Sequence, residues 1–207
     1  MVSGIIATVD RWRGYGDCLV NMSVQLQKHY FTVDEYYLMA QSGVFAQDAR
    51  LELIEGEVIE MSPIGKRHAG CLNRLNRLLH RNVGELAIVS VQNPIGIDDF
   101  SEPQPDVALL KPRADFYSSY HPTPPYVLVI IEVADTSVEY DRRVKFPLYA
   151  RAGIPEAWLV VLPKDLIEVH SEPKNGKYQK VQRLRRGKSV VSSAIAGLSI
   201  KVDDILG

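Results

Sequence analysis

The sequence has little cysteine: Cys18 and Cys71 are the only two in 207 residues. They lie far apart and belong to no CxxC or His/Cys cluster, which argues against a disulfide scaffold or a structural zinc site. Both read as reduced thiols in a cytoplasmic protein. Long apolar runs are missing too. No stretch approaches the roughly 20 residues of a spanning helix, so no membrane partner is expected. Charge of one sign is not in excess: 24 Lys and Arg against 25 Asp and Glu leave a formal net charge of −1. No global positive field therefore draws the chain to polyanions, and any nucleic-acid contact must come from a local patch. Repeats, low-complexity tracts and linkers are absent.

A chain of this length can bury one sizeable core and is short for two. Its first 21 residues, MVSGIIATVDRWRGYGDCLVN, have neither the apolar core of a signal peptide nor a clear period. Met22 opens MSVQLQKHYFT and reads as an alternative start. The expected organisation is an N-terminal extension over residues 1–21 and a single domain over residues 22–207.

What is present alternates between helical and strand periods. FTVDEYYLMAQSG carries a helix signature, with Thr32 as cap, Glu35 completing a capping box and Gly43 as stop. LELIEGEVIEMSP is two short alternating runs around Glu55-Gly56, a β-hairpin pattern. In KRHAGCLNRLNRLLHRNV, Leu72, Leu75 and Leu79 share one helical stripe. ELAIVSVQNPIGI, PDVALL and YVLVIIEV read as strands. EYDRRVKFPLYARAG is helical with Gly153 as stop, and Pro147 would kink it unless it lies in the first turns. EAWLVVL, LIEVHSEP and KYQKVQRL read as further strands, while the tail SSAIAGLSIKVDDIL is weakly patterned. This order predicts an α/β (α+β) domain with a central mixed sheet flanked by helices.

Two acids stand out. Glu132 lies inside VLVIIEVA, the most hydrophobic stretch of the chain, and Asp106 opens the strand before it. If those strands pair antiparallel, the start of one lies beside the end of the other and the carboxylates converge. Buried anions repel unless a cation sits between them. Hard oxygen ligands on a rigid sheet suit Mg²⁺ or Mn²⁺. The competing reading is of two solvated strand-end charges. Lys145 follows Asp141 by one helical turn and could bring its ammonium to the same place, or form an exposed pair with Asp141. Glu52 alternates with Leu51 and Leu53 and so faces away from them, either towards a site or towards water. His68 falls on the Leu72 stripe at the helix start, where it is either a satisfied core residue or a site imidazole.

In order along the chain, LELIEGEVIEMSP, RHAGCLNRLNRLL, QPDVALL and IIEVADTSVEYDRRVKFPLYARAGIPEAWLVV match signature blocks of a known family. From about Thr32 to Leu206 the sequence resembles the Uma-type restriction endonuclease family, a branch of the PD-(D/E)XK nucleases. The resemblance implies a restriction-endonuclease-like core and a Mg²⁺- or Mn²⁺-dependent DNA endonuclease, with Asp106 and Glu132 as its metal-binding acids. In the wider superfamily a lysine stands two residues after the second acid; here that position is Ala134. The family's lysine comes from the following helix, which implies Lys145. Glu52 and His68 fall in matched blocks and are implied as additional site residues. Tyr149 and Trp158 also match and read as packing. The chain departs from the family in having Asp135-Thr136-Ser137-Val138 where Ser-Pro-Ser-Thr is common, in Arg50 where an aromatic is usual, and in Glu55 before Gly56.

Local cations that could meet phosphates are Arg67, Arg74, Arg142 and Arg143, with RLRRGK near the end. A two-fold homodimer would suit double-strand cleavage. Two other readings stay open: an inactive nuclease-fold binding module, favoured by Ala134 and the near-zero charge, and a metal hydrolase acting on another phosphoester.

Overall fold

A computed structural model describes residues 27–46 and 48–207. The extension expected over residues 1–21, with Cys18 and Met22, lies outside the described residues. Helix α1 (Val33–Gln41) begins as its sequence dictates. Thr32 Oγ1 accepts the Glu35 N–H, and Glu35 reaches back to the Thr32 N–H at 2.8 Å. The two bonds satisfy donors that helix geometry leaves open. Strands β1 (Leu51–Ile54) and β2 (Glu57–Glu60) form the expected hairpin. Both turn residues, Glu55 and Gly56, have positive φ (50° and 77°), as a tight two-residue turn requires.

The central sheet has six strands in the order β3 (Ile88–Val91), β4 (Val107–Leu110), β5 (Val127–Ala134), β6 (Glu156–Val161), β7 (Leu166–Lys174) and β8 (Lys177–Arg185). Neighbours are antiparallel except β5 and β6, which are parallel and joined by a helical crossover. The sheet is therefore mixed, as expected. β5 is covered on both faces, which explains its nearly unbroken apolar sequence. On one face lies α2 (Lys66–Val83), whose Cys71, Leu72, Leu75, Leu79 and Val83 pack on Val107, Val129 and Ile131. On the other, Phe146 and Tyr149 pack on Ile130, Ala157 and Leu159.

The crossover differs from a plain helix. It runs as α3 (Val138–Tyr140), a π-helical segment (Asp141–Lys145) and α4 (Phe146–Arg151). The Phe146 N–H reaches back five residues to the Asp141 carbonyl. Pro147 has no N–H to donate to a preceding carbonyl, and the wider turn lies immediately before it. Pro147 thus sits in the first turn of α4, where it is tolerated. Gly153, at φ 76°, ends the helix.

Two sequence expectations need correction. ELAIVSVQNPIGI is not one long strand: β3 stops at Val91, and Gln92 turns at φ 50°. The weakly patterned tail is ordered, as a hairpin of β9 (Ser189–Val191) and β10 (Ser199–Lys201) followed by α5 (Val202–Leu206). Its Val190, Ile195, Leu198, Ile200, Val202 and Ile205 join the α2 side of the core. Three-residue strands are too short to display a period.

Candidate active site

The register of β4 on β5 pairs Val107 with Ile131, so the next residues outward are Asp106 and Glu132. The two acids meet as the antiparallel argument requires. The Asp106 N–H donates to Glu132 Oε2 at 3.4 Å, and the Val133 N–H donates to Asp106 Oδ2 at 2.8 Å. Neither is a solvated strand-end charge, since Asp106 and Glu132 are 9% and 4% exposed.

Asp106 is held by several further groups. The Gln92 turn brings its amide nitrogen to Asp106 Oδ1 at 3.2 Å. His68, in the first turn of α2, places Nε2 2.9 Å from Asp106 Oδ2. Burial pushes the Asp106 carboxyl up, but the His68 bond and charge, the Val133 N–H and the Lys145 charge outweigh it, and the net shift is down. An ionised carboxylate only accepts, so His68 Nε2 carries the proton in this bond.

Glu132 is bound differently. Its Oε1 accepts from Lys145 Nζ at 2.8 Å and from the Tyr149 hydroxyl at 2.6 Å. Lys145 Nζ also meets Glu52 Oε2 at 3.2 Å, and that oxygen accepts the Gln104 N–H at 3.1 Å. Glu52 and Lys145 are buried as well. The expected alternative of an exposed Asp141–Lys145 pair is overturned, because both residues point inward from the π-helical segment. Burial pushes the Glu132 carboxyl up, against the pull of Lys145. Burial alone would push Lys145 down, yet Glu132, Glu52 and Asp141 reverse the sign and hold the ammonium protonated.

These groups floor a cleft of about 320 Å³ between the β2–α2 loop, the start of α2 and the loop after β5. Asp106, Glu132, Lys145 and His68 line it; Glu52 does not, and acts on it through Lys145. Buried polar atoms almost always find partners. Among the described residues three such side-chain atoms have none, and two of them, His68 Nδ1 and Tyr140 Oη, belong to residues of this cleft.

Among the described residues no group of three or more His, Cys, Asp and Glu side chains is gathered as a metal cage. The donor set that remains is the pair of carboxylates. Asp106 Oδ1 has one bond, from Gln92, and Glu132 Oε2 has one long bond, from the Asp106 N–H. Each oxygen keeps lone-pair capacity. Two hard oxygens beside a cleft with room for water fit Mg²⁺ or Mn²⁺, which take one or two carboxylates and retain waters.

The sequence-predicted arginines are not gathered at this floor. Arg74 donates to the carbonyls of Ile205 and Leu206, tying α5 to α2. Arg142 pairs with Glu139 and with the buried Glu168. Arg67 is 60% exposed beside Asp135, and Arg143 is 79% exposed beside Glu139. Tyr149 is more than packing, because its hydroxyl bonds a site carboxylate; the nearly featureless apolar context of FPLYARAG gave no sign of it. Trp158 is packing with one polar bond, from its indole N–H to Glu156 at 2.6 Å.

The site thus sets two buried acids side by side on neighbouring strands of a mixed sheet, with a helix-borne lysine against one of them. Among solved structures, the chain is similar to a "putative nuclease belonging to DUF820" from Anabaena variabilis, with a TM-score of 0.65. The match covers 85% of this chain and 97% of that one at 14% identity, and so speaks to the fold alone. The chain belongs to the Uma2 family, described as "Putative restriction endonuclease", whose family model matches residues 33–203. A search of the curated proteins finds no match.

Proposed function

We propose that this protein is a metal-dependent endonuclease that hydrolyses DNA phosphodiester bonds. The observation that carries the reading is the convergence of Asp106, Glu132 and Lys145 at the floor of one cleft, in a chain of this family. Asp106 and Glu132 would hold Mg²⁺ or Mn²⁺, which when bound supplies a Lewis acid and lowers the pKa of water. Lys145, kept protonated by its carboxylate neighbours, is not a base. Its role is to orient the attacking water and offset charge developing on the phosphoryl oxygens. His68 fixes Asp106 through Nε2–H. Glu52 holds Lys145 from behind.

Plasmid cleavage with Mg²⁺ or Mn²⁺ tests the reading. Asp106→Asn and Glu132→Gln, which keep the side-chain volumes, should each lower nicking at least about 100-fold, read beside each variant's urea midpoint because each removes a charge from a buried pair. Nicking that persists in both variants, or without divalent metal, would remove these acids from the reaction. A binding module is the second reading, favoured by Ala134 in the ordinary lysine position and by a Lys145 ammonium already engaged by two carboxylates. It predicts a folded protein that binds its partner without metal and cleaves nothing.

A further inference from the structure

Glu132 has two oxygens with different surroundings. Oε1 accepts from Lys145 Nζ at 2.8 Å and Tyr149 Oη at 2.6 Å, whereas Oε2 receives only the long bond from the Asp106 N–H among the described residues. The two donors to Oε1 come from one stretch of chain. Lys145 closes the π-helical segment and Tyr149 lies one turn further on, in α4. Both are fully or nearly fully buried, and the Tyr149 ring is fixed between Phe146 and the apolar face of the sheet. The hydroxyl therefore has little freedom to leave Glu132.

A lone ammonium does not fix a carboxylate. It can bind one oxygen or straddle both, since its three donors rotate and its charge has no preferred plane. A second donor on the same oxygen removes that ambiguity. With Tyr149 bonded to Oε1, the carboxylate has one orientation that keeps both bonds, and in it Oε2 is turned towards Asp106. Without the hydroxyl, Glu132 can swing to share both oxygens with Lys145, and the pairing with Asp106 is lost.

We propose that Tyr149 is a positioning residue of the metal site, acting through Glu132 by reserving Oε2 for the cation. The proposal rests on the nuclease reading. Partners that orient a metal-ligating carboxylate typically change metal affinity 10–100-fold when removed.

The test is Mn²⁺ affinity of Tyr149→Phe, by titration with electron paramagnetic resonance, beside the urea midpoint of each metal-free protein. Tyr149→Phe keeps the ring and deletes only the hydroxyl. Tyr178→Phe is the control: its hydroxyl bonds the Ile154 carbonyl at 3.0 Å and its ring packs on Phe146, but it does not touch Glu132. The expected result is a Mn²⁺ dissociation constant raised about 10–100-fold in Tyr149→Phe and unchanged in Tyr178→Phe. Unchanged affinity in Tyr149→Phe overturns the positioning role and leaves the nuclease reading standing. Equal weakening in both variants also overturns it, since the hydroxyl would then act only by stabilising α4. If wild-type protein binds Mn²⁺ no better than Asp106→Asn, the metal-dependent reading fails and the inference falls with it.

Discussion

Lys145 is shared by two buried carboxylates, which makes it a structural residue as much as a chemical one. The ammonium lies 2.8 Å from Glu132 and 3.2 Å from Glu52, all three side chains being buried. Removing one partner of a buried pair leaves a charge without compensation, at a cost of about 3–5 kcal/mol. Removing Lys145 leaves two. Lys145→Met should therefore destabilise the fold by at least about 3 kcal/mol, and Glu52→Gln in the same chain should restore part of that loss because one stranded anion is gone. Urea denaturation of the single and double variants checks this; a double variant no more stable than Lys145→Met would show that the two ion pairs are not coupled. A dead Lys145 variant therefore speaks to catalysis only when its stability is measured beside its activity. At this scale the sequence was a good guide where pairing rules apply. Asp106 and Glu132 were legible because an antiparallel neighbour brings a strand's start beside its partner's end. The contact of Tyr149 with Glu132 was not, since it depends on how far a helix is rotated, and the π-helical segment sets that rotation.

The crossover from β5 to β6 is the element on which the site depends. It was legible as a helix with Gly153 as its end, but neither the parallel pairing of the strands it joins nor the widened turn over Asp141–Lys145 has a periodic signature. The packing of α4 on the sheet also carries a pH dependence. His170, on β7, is buried edge-on against Phe146 and lies beside Tyr178, with Nε2 3.4 Å from Glu168. Burial pushes its pKa below the ordinary 6.5, with Glu168 opposing and Arg142 and Arg183 adding to the shift. A histidine lowered in the folded state takes up its proton first in the unfolded chain. Stability is then fully present above about pH 6.5 and is lost progressively as pH falls from there towards the folded value. Glu168 is itself held below the usual carboxylate range, because its bonds to Arg183 and Arg142 outweigh its burial, so it stays ionised across that window. The urea midpoint should fall between pH 7 and pH 5.5 in wild-type protein, and fall less in His170→Gln. An equal fall in both would assign the dependence to other groups.

On the scale of the whole molecule, a net charge of −1 and a site built from buried acids leave little long-range attraction for a polyanion. Composition made that legible at once, but not which arginines remain available, because that depends on where the tail folds. Arg74 and Arg67 look alike in the sequence, seven residues apart on α2. The tail, folded as β9, β10 and α5, takes Arg74 into two carbonyl bonds, while Arg67 donates to the Leu162 carbonyl at 2.9 Å yet stays largely exposed, with Asp135 of the cleft rim and Asp165 nearby. If the substrate is DNA, the few exposed cations near the cleft must supply its phosphate contacts. The affinity of Asp106→Asn protein for a duplex should fall with salt along a shallow log–log line, about −0.9 for each phosphate engaged. Arg67→Ala should make that slope shallower by roughly one contact and weaken binding to all sequences alike. Arg74→Ala should leave the slope unchanged and lower the unfolding midpoint instead, since it releases the carbonyls of α5. Fluorescence anisotropy across a salt series reads both effects. A slope that moves with Arg74 and not with Arg67 would put the DNA path on the α5 side of α2, away from the cleft that holds the acids.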